Sequence, residues 1–175
     1  MQPEAGETWP DAIFAQFKRA RVRQVGYVPD AGHSRLIHLC KDDPEIADCV
    51  LTTEEEGVGL AAGAWLGGER AALLMQSSGV GNCVNTFSLL KSCGFPCLIL
   101  VTMRGEYGEI NAWQIPMGSI VEESLKLCGF LVYRAGAPDE VVDTVGSACD
   151  LAFESGQAVA VLLSQKLIGR KVWVK

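Results

Sequence analysis

The stretch Gln76-Ser77-Ser78-Gly79-Val80-Gly81-Asn82 follows the apolar run Ala71-Ala72-Leu73-Leu74-Met75 and leads into an apolar helical pattern. Glycines at 79 and 81 let main chain pass close to a ligand with no Cβ in the way, and a helix start leaves N–H groups pointing outward. The arrangement predicts a strand-to-helix turn that docks a polar group at the carboxyl end of a parallel strand, where open α/β sheets place their ligands. A tight turn without a ligand is the bland alternative.

One element upstream, Thr53-Glu54-Glu55-Glu56-Gly57-Val58-Gly59-Leu60-Ala61-Ala62-Gly63 sets three carboxylates at a helix start. They can form a solvated first turn favoured by the helix dipole. Alternatively one of them turns inward beside Val58, Leu60 and Ala61, where burial would favour proton exchange with a heterocyclic ligand. Periodicity is compatible with both. Gly57-Val58-Gly59-Leu60-Ala61-Ala62 also satisfies the letter of the dinucleotide fingerprint. Like-charged carboxylates beside it would repel a pyrophosphate, so its glycines are read as close-packing positions. Ser78-Gly79-Val80-Gly81-Asn82 lacks a third glycine at 84, and no Gly-Lys-Ser/Thr occurs in the chain. A nicotinamide-binding oxidoreductase and a nucleotide hydrolase are disfavoured on that ground.

These motifs need a scaffold, and the hydrophobic pattern supplies one. Trp9, Ile13, Phe17 and Ala20 recur at helical spacing, predicting a helix over 9–22, with a strand over 24–28 after it. Pro29 to His33 reads as a loop, Ser34 as an N-cap, and 35–40 as a short helix. Further strands are expected at 48–52, 70–76, 96–103, 130–134 and 158–163. Helices are expected at 54–66, with Thr53 and Glu56 in capping-box register, at 81–91, at 119–127, and from Pro138 onward. A polar stretch covers 104–118. Alternation of this kind predicts an α/β fold: a three-layer α/β/α arrangement around a mostly parallel six-stranded sheet. A single domain is expected over 1–175, with its core at about 10–165 and a tail at 166–175.

Composition excludes several classes. With 49% apolar residues, 21% charged residues and a net charge of −6, the chain reads as a compact α/β protein with no nucleic-acid partner. The apolar run Phe95 to Val101 is far below the ~20 residues of a membrane-spanning helix. An acidic N-terminus without an apolar centre makes cytoplasm the expected location. Seven cysteines, none in a Cys-x-x-Cys pair, read as small core residues of a reducing compartment. No metal ligands are expected from this chain, since His33 and His38 are off the i, i+4 spacing.

Glu54 standing nine residues before Gly63, with Gly57 and Ala61-Ala62 between, and a strand ending in Gln76-Ser77-Ser78-Gly79-Val80-Gly81-Asn82 form one combination. Val28-Pro29-Asp30, Thr102-Met103-Arg104-Gly105-Glu106 and Gln114-Ile115-Pro116-Met117-Gly118 complete it. Together they resemble the pyrimidine-binding domain of thiamine diphosphate-dependent decarboxylases, the sulfopyruvate and phosphonopyruvate decarboxylases above all. The resemblance covers about residues 10–165.

It implies that Glu54 is the carboxylate hydrogen-bonded to N1′ of the cofactor's aminopyrimidine, which favours the imino form that takes the thiazolium C2 proton. Gln76, Ser77, Gly79 and Asn82 would line the pyrimidine pocket. Asp30 and His33 would face the reacting centre and handle protons, or else serve only turn and capping chemistry. Arg104 would meet the substrate's anionic head, with Gln114 also on the substrate side. The Gly-Asp-Gly signature with which family members bind diphosphate and Mg2+ is absent from these 175 residues. The resemblance therefore implies a two-chain enzyme: an α subunit, prone to self-association, whose separately encoded β subunit carries the diphosphate and Mg2+ domain. The implied reaction converts 3-sulfopyruvate or 3-phosphonopyruvate to the corresponding aldehyde and CO2. A non-catalytic assembly or regulatory module with the same fold is the alternative.

Overall fold

The computed structural model describes residues 8–169. Helix α1 (Trp9–Arg19) buries Ile13 and Phe17 and stops short of residue 22. Arg21 takes a left-handed φ of 55°, which turns the chain directly into strand β1 (Val22–Tyr27). In helix α2 (Ser34–Asp42) Ser34 is the first helical residue and His33 occupies the cap position expected of it. Strand β2 (Ala47–Val50), helix α3 (Glu54–Leu66) and strand β3 (Arg70–Gln76) follow. The bounds of α3 and β3 match the expectation. The capping box does not form: Thr53 makes no side-chain cap, and Glu56 Oε2 accepts instead from the main-chain N–H of Thr52 at 2.8 Å.

The largest departure follows β3. The expected glycine turn is helical: α4 (Ser77–Cys83) starts on the residue after the strand, and α5 (Ser88–Cys93) follows a break, in place of one helix over 81–91. After strand β4 (Cys97–Thr102), helix α6 (Gln114–Leu127) starts five residues earlier than expected. Pro116 falls in its first turn, where a missing N–H leaves no bond unmade. Strand β5 (Leu131–Ala135), helix α7 (Pro138–Phe153) and strand β6 (Ala158–Leu163) complete the pattern, with Pro138 opening α7 as expected. A short helix α8 (Gln165–Ile168) occupies the start of the expected tail, and residues 170–175 of that tail lie outside the described residues.

The strands run in the order β2-β1-β3-β4-β6-β5, and every pairing is parallel. Side chains alternate between two cores along the central strands. Ala72, Leu74, Leu98, Leu100, Val159 and Val161 face α1, α2 and α7, while Leu73, Met75, Ile99, Val101, Ala160 and Leu162 face α3 to α6. Both faces are thus covered, which is why these strands read as continuous apolar runs. Cys40, Cys83, Cys97 and Cys149 belong to these cores, where burial pushes their thiols up to about 12. Cys93 is exposed, unlike the core role expected of it, and all seven cysteines are free.

Gly57 is a close-packing position as read from the sequence, since a Cβ there would come within 3.0 Å of Leu51 and Leu73. Gly59 has open space around it. The tightest contact is Gly118 in α6, where a Cβ would lie 2.0 Å from the Arg104 carbonyl oxygen. Main chain cannot yield as a side-chain tip can, so Gly118→Ala is expected to destabilise the chain by at least about 3 kcal/mol. A urea midpoint unchanged by the substitution would contradict this packing.

Candidate functional site

From β1 the chain steps outward to β2 and returns to β3 on the other side, so a crevice opens at the carboxyl ends of β1 and β3. Asp30, beyond β1, spans it. Its Oδ1 accepts from Gln76 Nε2 at 2.8 Å and its Oδ2 from Thr102 Oγ1 at 2.6 Å, which ties together the ends of three strands. The loop that follows it lies close on β4, since a Cβ on Gly32 would meet Thr102 Cγ2 at 2.8 Å. Gln76 Oε1 is buried with no partner among the described residues.

His33 goes elsewhere. It is 1% exposed, and its Nε2 lies 3.1 Å from the Leu100 carbonyl oxygen while Nδ1 has no partner among the described residues. Burial lowers its pKa below the ordinary histidine value, against an opposing pull from Asp30, so the ring is neutral. Asp30 lines the open cleft, whereas His33 is packed beneath it against β4.

On the other side of the crevice, Glu54 is the first residue of α3 and the only one of the three glutamates that is half-buried. Its Oε2 accepts from Asn82 Nδ2 at 2.8 Å. Its side chain lies across Gly79, where a Cβ would come 2.5 Å from Oε1, 2.6 Å from Cδ and 2.7 Å from Cγ. The glycine at 79 is therefore required by a close approach inside a helix, not by a turn. Gly81 makes similar room for Met117, whose sulfur would lie 3.0 Å from an added Cβ. Ser77, buried at the start of α4, accepts from the main-chain N–H of Arg104 at 3.2 Å.

Arg104 does not offer a free fork. Its Nε donates to Glu109 Oε2 at 2.6 Å and its Nη2 to Glu109 Oε1 at 2.7 Å, a bidentate pair whose side chains are only 12% and 3% exposed. The Arg104 guanidinium holds the Glu109 carboxyl down at about 2, so it is ionised at any working pH. Arg104, Asp30, Thr102, Gln165 and Ile168 line a cleft of about 180 Å³. Gln114 opens α6 in a buried position, with its Oε1 unpartnered among the described residues.

The structure thus gathers Glu54, Gly79 and Asn82 on one side of β3 and Asp30, Gln76 and Thr102 on the other. The segment Gln76 to Gly79 links the two groups within one turn of helix. Sequence reasoning assigned no role to Thr102, Glu109 or Gln165. Thr102 sat in a quoted motif, and Glu109 lies five residues from Arg104 in a glycine-bearing loop, but nothing local to Gln165 signals its position. Among the described residues no group of three or more His, Cys, Asp or Glu could hold a metal ion.

No protein-family model matches the chain. It is similar to the sulfopyruvate decarboxylase subunit alpha of Methanocaldococcus jannaschii, with 34% identity over 152 residues, covering 86% of this chain and 90% of that protein. The subunit alpha of Methanococcus maripaludis is 35% identical over 154 residues, covering 87% of this chain and 92% of that one. Phosphonopyruvate decarboxylase of Streptomyces viridochromogenes is 38% identical over 109 residues, with this chain spanning 28% of its length. Among solved structures, 2-oxoglutarate:ferredoxin oxidoreductase from Magnetococcus marinus superposes with a TM-score of 0.73 at 12% identity, over 93% of this chain and 29% of that longer one. That likeness concerns the fold alone.

Proposed function

The chain belongs to the sulfopyruvate decarboxylase α-subunit family, and from that premise we propose that it supplies the pyrimidine-binding half of a thiamine diphosphate-dependent decarboxylase of 3-sulfopyruvate. The sulfonate substrate is preferred over the phosphonate because the α subunits match nearly end to end, whereas the phosphonopyruvate relative does not. The products are sulfoacetaldehyde and CO2.

The residues at the carboxyl edge suit such a cofactor. Glu54 presents a half-buried carboxylate seated on Gly79 and held by the Asn82 amide, and across β3 Gln76 keeps an unpartnered buried oxygen, polar groups suited to the edge of a heterocycle. Bound thiamine diphosphate supplies the nucleophilic carbon and the electron sink for loss of CO2. Glu54 holds the ring-nitrogen proton, and Asn82 orients that carboxylate through its 2.8 Å hydrogen bond. Gln76, Ser77 and Gly79 shape the pocket wall. Asp30, already accepting two hydrogen bonds, stands where it can manage protons at the reacting carbon, and His33, buried and neutral behind it, supports the loop. Arg104 and Gln114 are assigned to the substrate, with Arg104 as the ligand of the anionic head.

Among the described residues donors for a metal are not grouped, and Mg2+ and the diphosphate are assigned to a β subunit; the assembly is assigned to the cytoplasm. No helix of the described residues is long and apolar enough to cross a membrane. The observation that carries the reading is Glu54 lying on Gly79 with Asn82 as its donor. The test is to purify the chain with its β subunit, titrate thiamine diphosphate by calorimetry, and follow aldehyde and CO2 from 3-sulfopyruvate and from 3-phosphonopyruvate. Absence of both cofactor binding and turnover would favour a non-catalytic module, and preference for the phosphonate would overturn the substrate.

A further inference from the structure

The loop that carries Arg104 is fastened by a residue almost sixty positions further along the chain. Gln165, the first residue of α8, is 2% exposed, and both ends of its amide are used. Oε1 accepts from the main-chain N–H groups of Glu106 at 3.1 Å and Tyr107 at 2.9 Å, and Nε2 donates to Glu109 Oε2 at 3.0 Å. The Gln165 main-chain N–H adds a bond to Glu106 Oε1 at 2.9 Å. The reverse orientation would turn the NH2 toward two N–H donors and the oxygen toward a carboxylate, so the partners determine which way the amide lies.

Glu109 Oε2, which Gln165 holds, is also the oxygen that accepts from Arg104 Nε. Glu109 therefore occupies the Nε and Nη2 edge of the guanidinium and leaves Nη1 and the second Nη2 proton to a residue that lines the cleft with Asp30, Thr102 and Ile168. An anion entering there meets an arginine already neutralised by Glu109, with Asp30 also nearby. Binding then depends on Glu109 staying on its own edge of the fork. A carboxylate free to swing would compete for the remaining donors; one tethered by an amide cannot.

We infer that Gln165 is a positioning residue for the substrate: its amide pins Glu109 to one edge of Arg104 so that the other edge is presented to the anionic head of the 2-oxo acid. The inference rests on the assignment of Arg104 as head-group ligand made above.

Gln165→Glu is the informative variant. It retains an acceptor for the Glu106 and Tyr107 N–H groups but sets a carboxylate oxygen against Glu109 at the 3.0 Å separation now bridged by a proton. Two carboxylates that close cannot both ionise without strong repulsion, and a shared proton relieves it. The other charges around the pair are Arg104, Asp30 and Glu106, with Arg134 bonded to Glu106 at 2.8 Å, and none of them changes. In the assembled enzyme at about pH 7.5, KM for 3-sulfopyruvate should rise about tenfold or more, with kcat falling by less. Near pH 5.5 the shared proton should shrink the rise to about threefold. A merely structural role would not produce this recovery with acid.

The companion variant Gln165→Met removes the Nε2 donor to Glu109 Oε2 without adding a charge, and should raise KM about threefold or more with kcat little changed and with no recovery in acid. If Gln165→Glu does not fold near neutral pH, Gln165→Met decides alone: a KM raised by more than kcat is lowered supports the inference, while an unchanged KM or failure to fold overturns it. A pH-independent or unchanged KM in Gln165→Glu also overturns it. Arg104→Gln separates the two readings. Should it leave KM unchanged, the head-group assignment itself falls; should it raise KM while Gln165→Glu does not, only the role of Gln165 falls.

Discussion

Replacing Glu54 by glutamine is expected to lower kcat of the assembled enzyme by about 100- to 1,000-fold, the range spanned by a general acid–base group. The amide has nearly the same shape, and its oxygen can still accept from Asn82, whose Nδ2 lies 2.8 Å from Glu54 Oε2. What disappears is the negative charge proposed above to hold a proton on the cofactor's ring nitrogen. Because Glu54 is only half-buried, the change should alter stability by less than about 1 kcal/mol, so lost activity cannot be blamed on unfolding. Glu55 and Glu56 are exposed, and Glu56 serves Thr52 as a cap. Their glutamine variants should keep turnover. Single-turnover decarboxylation together with thiamine diphosphate titration is the measurement, and full activity in the Glu54 variant would remove that carboxylate from the mechanism.

Gly79→Ala should be nearly as damaging, by a different route. The added methyl would fall 2.5 Å from Glu54 Oε1 and 2.7 Å from Cγ, distances that real side chains do not tolerate. Glu54 is a flexible side chain at a helix start, so it yields by rotating away at a cost of about 0.5–1.5 kcal/mol. Exchange of glycine for alanine within a helix returns about 1 kcal/mol. The two effects nearly cancel in the folding equilibrium, and the fold survives. Catalysis is not protected by that cancellation, because a displacement of about 1 Å at a reacting group can cost about 100-fold in rate. The expected result is a parent-like denaturation midpoint with kcat reduced about 10- to 100-fold. Gly59→Ala, where the methyl would meet nothing within 4 Å, is the control that should keep full activity. Parent-like kcat in Gly79→Ala would mean that Glu54 does its work from some other position.

Much of the architecture was legible along the chain. The bounds of β3, α3 and β6 and the start of α7 were read correctly, because these elements are long or bounded by glycine and proline, and both faces of the sheet are buried. The segment after β3 was misread. Ser77 to Asn82 contains the residues of a turn, and local propensity favours one. The helix there buries Val80 and Cys83 in the core and seats Glu54 on Gly79, tertiary contacts that no pattern within the segment encodes. In the same way, the loop reading of 104–118 missed the first turn of α6, where Gly118 closes on the Arg104 carbonyl across the loop.

Sequence alone determined the layer order through short-range periodicity, and its motifs carried the resemblance to the family and the expectation that Glu54 acts among three adjacent glutamates. Only the tertiary structure decided which polar groups meet. It separated Asp30 from His33, although three positions part them in the chain, by leaving one at the cleft and burying the other against Leu100. It gave Arg104 a resident counter-ion and gave that counter-ion a tether from Gln165. Such pairings depend on the parallel order of strands that bring remote segments to one edge of the sheet, and a hydrogen bond reaching across 56 residues leaves no local trace.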